Sequence, residues 1–360
     1  MDRLEVAHRR LHNQHLSGLR LADPAAVVRH LGASQAQEYT MAKWSLGQRS
    51  ADADDTAVQA ALDAGRILRT HVLRPTWHFV APEDIRWMLE LTGPRVRGLS
   101  RYYERQSDID AALADRSTDV IGEALQGGNH LTRAQVQEAL ARAGIEARGV
   151  RLVYLVMAAE QAGVAVSGAV SGKQRTYALL DERVPPTAPL DPDEALAELT
   201  RRFFVSHGPA TVKDFAWWAS LTLHEIGRGL AMLAGELTSV EVDGLTYWFA
   251  PADAPTRDPA PTVHVLQGYD EYGVAYTQGR SAANIAGLTI APPDTNMVIQ
   301  PLVLDSQFVG WWRRIVGRDG VVAEPHLAVT LDDDQVAAMR AAFDRLAEFA
   351  GVPIVLRLDS

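Results

Sequence analysis

The chain has 360 residues, 47% of them hydrophobic and 22% charged, with a formal net charge of −10. That size and balance describe a globular protein of two or three compact units. It contains no cysteine, which excludes disulfides, thiolate nucleophiles and cysteine-ligated zinc.

The first 65 residues read as helices over roughly 3–17, 24–32, 35–48 and 55–65, with apolar residues at spacings of three and four. The opening MDRLEVAHRR is charged and amphipathic and lacks an apolar signal core. No apolar run approaches the roughly 20 residues that span a bilayer, so a cytoplasmic protein without membrane attachment is expected. RILRTHVLRPTWHFV (66–80) holds two β-prone runs around Leu-Arg-Pro, which predicts two strands and a turn, and Pro82 opens the next helix. Helices followed by a two-stranded ribbon make a winged-helix module, here 1–105.

The pattern returns twice. Residues 106–185 contain STDVIGEALQGG, LTRAQVQEALARAG capped by Thr132, a helix through Val153–Gln161, and strands around VAVSG and RTYALL. A proline-rich linker (184–193) leads into a third copy, 186–252, whose Asp243-Gly244 marks a tight hairpin. After a second linker (251–262), residues 253–360 alternate strands (VHVLQGY, NMVIQPLVL, QFVGWWRRIV, VVAEPHLAV) with one helix, 332–350, and a last strand, PIVLRL. They predict a small β-barrel, or a curled sheet closed by a helix. Asp332 to Asp334 read as helix caps.

Charge is unevenly spread. Residues 1–105 carry 15 Lys/Arg against 12 Asp/Glu, and the remainder 20 against 33. Between Arg66 and Arg105 there are eight arginines and no lysine. Binding follows the local field, so this segment suits a polyanion despite the acidic whole, unless its arginines pair with that acidic remainder.

The segment with most chemical content is Ser34-Gln35-Ala36-Gln37. Glutamines do not titrate, so this pair is no general acid and base; it suits holding one water beside an already activated electrophile. The competing reading is a capping box, with Ser34 as N-cap, Gln37 reaching back to it and Gln35 exposed in the first turn. Arg69, Arg74, Thr76 and His78 fall on the first ribbon, where phosphates or a minor groove are met; a buried imidazole bonded to backbone is the other reading of His78. Lys173, Gln174 and Arg175 form a glycine-flanked basic tip on the second. Arg313 and Arg314 follow Trp311-Trp312, either to clamp DNA or to snorkel from a tryptophan core. Tyr269-Asp270-Glu271-Tyr272 reads as structural, with an electrostatic role toward the site as its alternative. His8, His12 and His15 share a helical face at metal-like spacing but lack an acidic or cysteine partner, so no metal is expected. No GxGxxG, Walker-type or nucleophile-elbow pattern occurs, and no cofactor is expected.

SQAQEYTMAKWSLGQR (34–49), ILRTHVLRPTWHFVAPED (67–84), SGKQRTYALLDERVP (171–185), GPATVKDFAWWASL (208–221), GYDEYGVAY (268–276) and LVLDSQFVGWWRR (302–314) together make the chain resemble a bacterial winged-helix family, the AlkZ- and YcaQ-type DNA glycosylases. The resemblance covers nearly the whole chain. It implies an α+β, mainly helical fold: three tandem winged helices and a β-barrel in a C-shape that clasps damaged double-stranded DNA. It further implies removal of N7-alkylated guanine, including bulky adducts and interstrand crosslinks. The family's signature is Gln-apolar-Gln in AlkZ-like members, matched here by Gln35-Ala36-Gln37, and Gln-apolar-Asp in YcaQ-like ones. The expectation is a monomeric, monofunctional glycosylase with Gln35 and Gln37 catalytic and Arg69, Arg74, Thr76, His78, Lys173, Arg175 and Arg313 on DNA. The alternative class is a non-enzymatic winged-helix regulator; such proteins dimerise on palindromes, and no heptad-like dimerisation helix is present.

Overall fold

The computed structural model describes residues 1–290, 298–317 and 320–358. The chain opens with α1 (Arg3–Asn13) and α2 (Pro24–Leu31), each started by an aspartate whose carboxylate accepts a first-turn N–H. The helix expected over 3–17 ends at Asn13, and His15 turns left-handed (φ 55°). β1 (Ala33–Gln35) precedes α3 (Tyr39–Gly47), α4 (Asp55–Asp63), β2 (Leu68–His71) and β3 (Trp77–Val80). The three strands form an antiparallel sheet in the order β1-β3-β2, with Gln35 opposite His78.

The helix expected over 35–48 therefore loses its first turn. Ser34 lies in a strand, its hydroxyl buried without a partner among the described residues, and the capping-box reading falls. Glu38 precedes α3 without a side-chain cap, while the backbone N–H of Ala36 continues the ladder to Trp77 O at 2.7 Å. Pairing with β3 satisfies the backbone groups that a helix would have satisfied internally.

α5 (Ile85–Gln106) leads to α6 (Ala111–Leu125), β4 (Leu131–Thr132), α7 (Arg133–Arg142), α8 (Gly149–Gln161), β5 (Ala165–Ser167), β6 (Thr176–Leu179) and α9 (Leu180–Arg183). Thr132 caps α7 in a full capping box with Gln135. This segment encloses a core of its own, built on Ile121, Leu125, Leu140, Leu152 and Leu155. α10 (Pro192–Ser206), α11 (Val212–Ala219) and α12 (Leu223–Met232) also start at capping boxes, and β7 (Thr238–Val242) turns into β8 (Leu245–Phe249) through left-handed Asp243 and Gly244.

The last part comprises β9 (Val263–Val265), α13 (Glu271–Val274), a 3-10 turn (Gln278–Ala283), β10 (Gln300–Leu304), β11 (Gln307–Val316), β12 (Val321–Leu327), α14 (Asp333–Ala350) and β13 (Ile354–Leu356). Its sheet is open, ordered β13-β12-β11-β10-β9, with β13 and β9 as unpaired edges rather than a closed barrel. α14, capped by Asp332, lies against β9 and β13. Of the expected NMVIQPLVL strand, Asn296 and Met297 lie outside the described residues.

Two cores cross the sequence. Val28, Leu31, Ala36, Trp44 and Leu46 pack with Val265, Leu302, Trp312, Phe343 and Phe349. A Cβ on Gly47 would stand 2.2 Å from Phe349 Cε2, so α3 meets α14 only where glycine leaves room. The second joins Ala33, Leu68 and Val80 to Phe203, Phe215, Trp218 and Tyr276. Together they press β1 against the α13 loop.

Candidate active site

β1 ends at Gln35, Ala36 is turned into the core, and Gln37 follows in a bend beyond the strand. Gln35 is 6% exposed and tied at three atoms. Its Oε1 accepts from Arg74 Nη2 at 2.8 Å, its N–H donates to Glu271 Oε1 at 2.7 Å, and its carbonyl accepts from Gln267 Nε2 at 3.4 Å. Gln37 is exposed, and its Oε1 has only a long contact, 3.4 Å, from the Trp77 N–H. One amide is fixed and the other free.

Glu271 lies behind Gln35. Its Oε2 accepts from Trp218 Nε1 at 2.8 Å, and His207 Nε2 stands 3.4 Å away. Burial alone would raise this carboxyl; the His207 hydrogen bond, the Arg74 charge and the Gln35 N–H outweigh it and hold it at about 2. Burial drives the His207 imidazole down, opposed by the Glu271 carboxylate beside it. Asp270, one residue earlier, accepts from Arg49 at 2.7 and 2.9 Å, from Ser45, and from the Tyr272 N–H, which anchors the loop.

The residues expected on DNA divide into two groups. Arg69, Arg74 and His78 are interior. Arg69 donates from Nε to Ala36 O at 3.0 Å and lies 4.2 Å from the Trp77 ring centre; burial first, then Arg175, lowers it to about 10. Arg74 holds Gln35. His78 is fully buried with Nδ1 3.0 Å from Thr76 O, and burial reinforced by Arg74 drops it to about 3. All three are buried beside the glutamine segment: Arg69 on the edge strand β2, Arg74 in the turn, and His78 on the central strand β3. Thr76 is half-buried, its hydroxyl without a partner among the described residues.

Lys173 and Arg175 are exposed at a turn closed by mutual Ser171–Gln174 hydrogen bonds of 2.9 and 3.0 Å. With Tyr39, Arg69, Trp77 and Tyr177 they line a cleft of about 260 Å³. Neither forms an ion pair among the described residues, and Glu160 in the same lining is bonded to His71. Arg313 is exposed but paired with Glu324 at 2.5 Å; Arg314 reaches Glu38 at 3.0 Å. Trp312 is buried and donates to Leu266 O, and Trp311 stacks on His326. His15 leaves α1, so the three-histidine face does not form.

Of the supports of Gln35, sequence reasoning weighed Glu271 only as an alternative and missed the others. Glu271 carried a signal, an acid inside the apolar GYDEYGVAY; His207, Trp218 and Gln267 carried none, since only the fold brings them to β1.

The family described as DNA glycosylase AlkZ-like matches residues 28–349. The chain belongs to that family. The glycosylase is thus an enzyme that hydrolyses N-glycosyl bonds and acts on DNA. It is 24% identical over 343 residues to an interstrand DNA cross-link repair glycosylase of Streptomyces sahachiroi, covering 87% of this chain and 88% of that one. Its fold superposes on the solved Streptomyces sahachiroi DNA glycosylase AlkZ with a TM-score of 0.78 at 20% identity, across 100% of both chains. In the glycosylase the matched region contains both glutamines, Arg74, Trp218 and Glu271. No helix among the described residues is long and apolar enough to cross a membrane.

Proposed function

We propose that the glycosylase removes N7-alkylated guanine from duplex DNA, including bulky adducts and interstrand crosslinks; interstrand cross-link repair is what its Streptomyces relative is named for. Alkylation at N7 makes the base a cationic leaving group. The C1′–N9 bond breaks with its electron pair going to the base, which leaves neutral, and the sugar passes through an oxocarbenium-like state. Water oxygen bonds to C1′, and its proton goes to solvent. Gln37, whose carbonyl is exposed and nearly free, accepts from that water. Gln35, fixed by Arg74 and Glu271, sets the direction of approach. The observation that carries this reading is the pair of neighbouring amides, Gln35 locked by Arg74 and Glu271 and Gln37 exposed and open.

Duplex is held by Lys173 and Arg175 in the basic cleft, with Arg69 at its base, and by Thr76 and Arg313. Three winged-helix units clasp the duplex in a C-shape, and the protein works in the cytoplasm as a monomer without metal or nucleotide cofactor. A lesion tethered to both strands does not rotate freely into a pocket, so attack occurs within a distorted duplex.

The test is a duplex with a single N7-methylguanine, incubated with protein, treated with alkali and scored for breaks at that position. The same assay runs on bulky-adduct and crosslinked duplexes. Breaks are expected on at least one of these and should vanish in Gln35→Ala/Gln37→Ala. Base release that persists in this variant at normal folding stability rules out the glutamines.

A further inference from the structure

Two buried charges, Glu271 and Arg74, bond directly to Gln35, and the cation poses an electrostatic problem. The Arg74 guanidinium sits 2.8 Å from the Gln35 side-chain Oε1, beside the place where the proposed reaction would develop a cationic sugar. Arg74 is 7% exposed and has no ion pair among the described residues, so solvent does little to screen it. One unit charge roughly 8 Å from another, at an effective dielectric near 20, shifts an equilibrium by about thirtyfold. Left alone, Arg74 would oppose the reaction that its hydrogen bond to Gln35 helps to organise.

The opposite charge lies on the other side of the same residue. Glu271 is 1% exposed, accepts from the Gln35 N–H at 2.7 Å, and is held by Trp218 Nε1 and His207. We propose that Glu271 is an electrostatic positioning residue whose carboxylate offsets Arg74, keeping the glutamine face receptive to a cationic sugar. It touches no substrate and acts through the Gln35 backbone and through its field. The inference rests on the hydrolytic reading given above.

A purely structural role would also weaken the site when Glu271 is changed, so the test reads charge directly. The full chain is titrated with two duplexes, one carrying a pyrrolidine abasic analogue, cationic at neutral pH, the other a neutral tetrahydrofuran analogue. Wild type should prefer the cation. Glu271→Gln should lose about thirtyfold of that preference, with tetrahydrofuran affinity unchanged within about twofold. Trp218→Phe removes a hydrogen bond to the carboxylate but keeps its charge, and should keep the preference. Arg74→Met leaves the carboxylate unopposed and should raise the preference above wild type, which supplies an answer even where Glu271→Gln does not fold. Preference retained in Glu271→Gln, lost equally in Trp218→Phe, or not raised in Arg74→Met overturns the inference while the hydrolytic reading stands. No preference in wild type overturns both.

Discussion

Arginines and lysines that look alike in the sequence should behave differently in a salt titration. Each phosphate neutralised on B-form DNA contributes about 0.9 to the slope of log affinity against log salt. Lys173 and Arg175 are exposed and unpaired among the described residues, so their removal leaves no carboxylate stranded. Lys173→Ala/Arg175→Ala should lower the slope by about 1.8. Between 50 and 200 mM salt, the variant should then lose about twelvefold less affinity than wild type. Folding stability should change by less than about 0.5 kcal/mol, as for surface sites without partners. Arg313→Ala should lower the slope by less than one, because Glu324 already neutralises that guanidinium. Arg74→Met should leave it unchanged, because that side chain is buried against Gln35. Fluorescence anisotropy on an undamaged duplex at four salt concentrations measures all three. An unchanged slope in the double variant, or a fall of one in Arg74→Met, would refute the division into cleft and interior.

Ser34→Ala should leave the thermal midpoint unchanged or slightly raised, since the buried hydroxyl has no partner among the described residues; a loss of about 1 kcal/mol would restore the helix-cap reading. Gly47→Ala should destabilise by about 1–3 kcal/mol in urea unfolding, because its Cβ would stand 2.2 Å from Phe349. Phe349→Leu should recover part of that loss in the double variant, and no recovery would place the strain elsewhere. Stability should fall on acidification. His78 and His264 are buried, and burial holds both at about 3 against an ordinary 6.5. Below pH 6.5 the unfolded chain binds two protons that the native one refuses, so stability present above that pH drops by roughly 2.7 kcal/mol per unit toward pH 3. Glu271, held near 2, adds its loss only below about 4.5. A thermal midpoint that stays constant from pH 7.5 to 5 would contradict this.

Local patterns carried the sequence reading where local chemistry decides the structure. Thr132 with Gln135, Asp332 with Gln335, and the Asp243-Gly244 hairpin are satisfied within a few residues, and all stand where the sequence places them. The glutamine motif shows the limit. Ser34-x-x-Gln37 fits a helix start as well as any true one in the chain. It is overruled by pairing with Trp77–Val80, some forty residues away, a contact that local periodicity does not encode. His78 was read with its bland alternative, and burial favours that one. The consequence for the site is large: only in the strand does the Gln35 N–H reach Glu271 while Gln37 stays exposed. Glu271 was legible as an odd acid among apolar neighbours, while Trp218 and His207 became relevant only once two long-range cores had closed.

Those shared cores also bear on biosynthesis. The motif near the start of the chain depends on Glu271 for its backbone anchor, and α3 just after it packs on Phe349 through Trp44 and Gly47. A ribosome adding about 5–20 residues per second reaches these partners tens of seconds or less after Gln37 is made. Until then this segment lacks both, and a nascent or prematurely ended chain carries the glutamines without the scaffold that aims them. If the glutamines do the cutting, incomplete copies of this glycosylase lack the arrangement that would let them act on DNA.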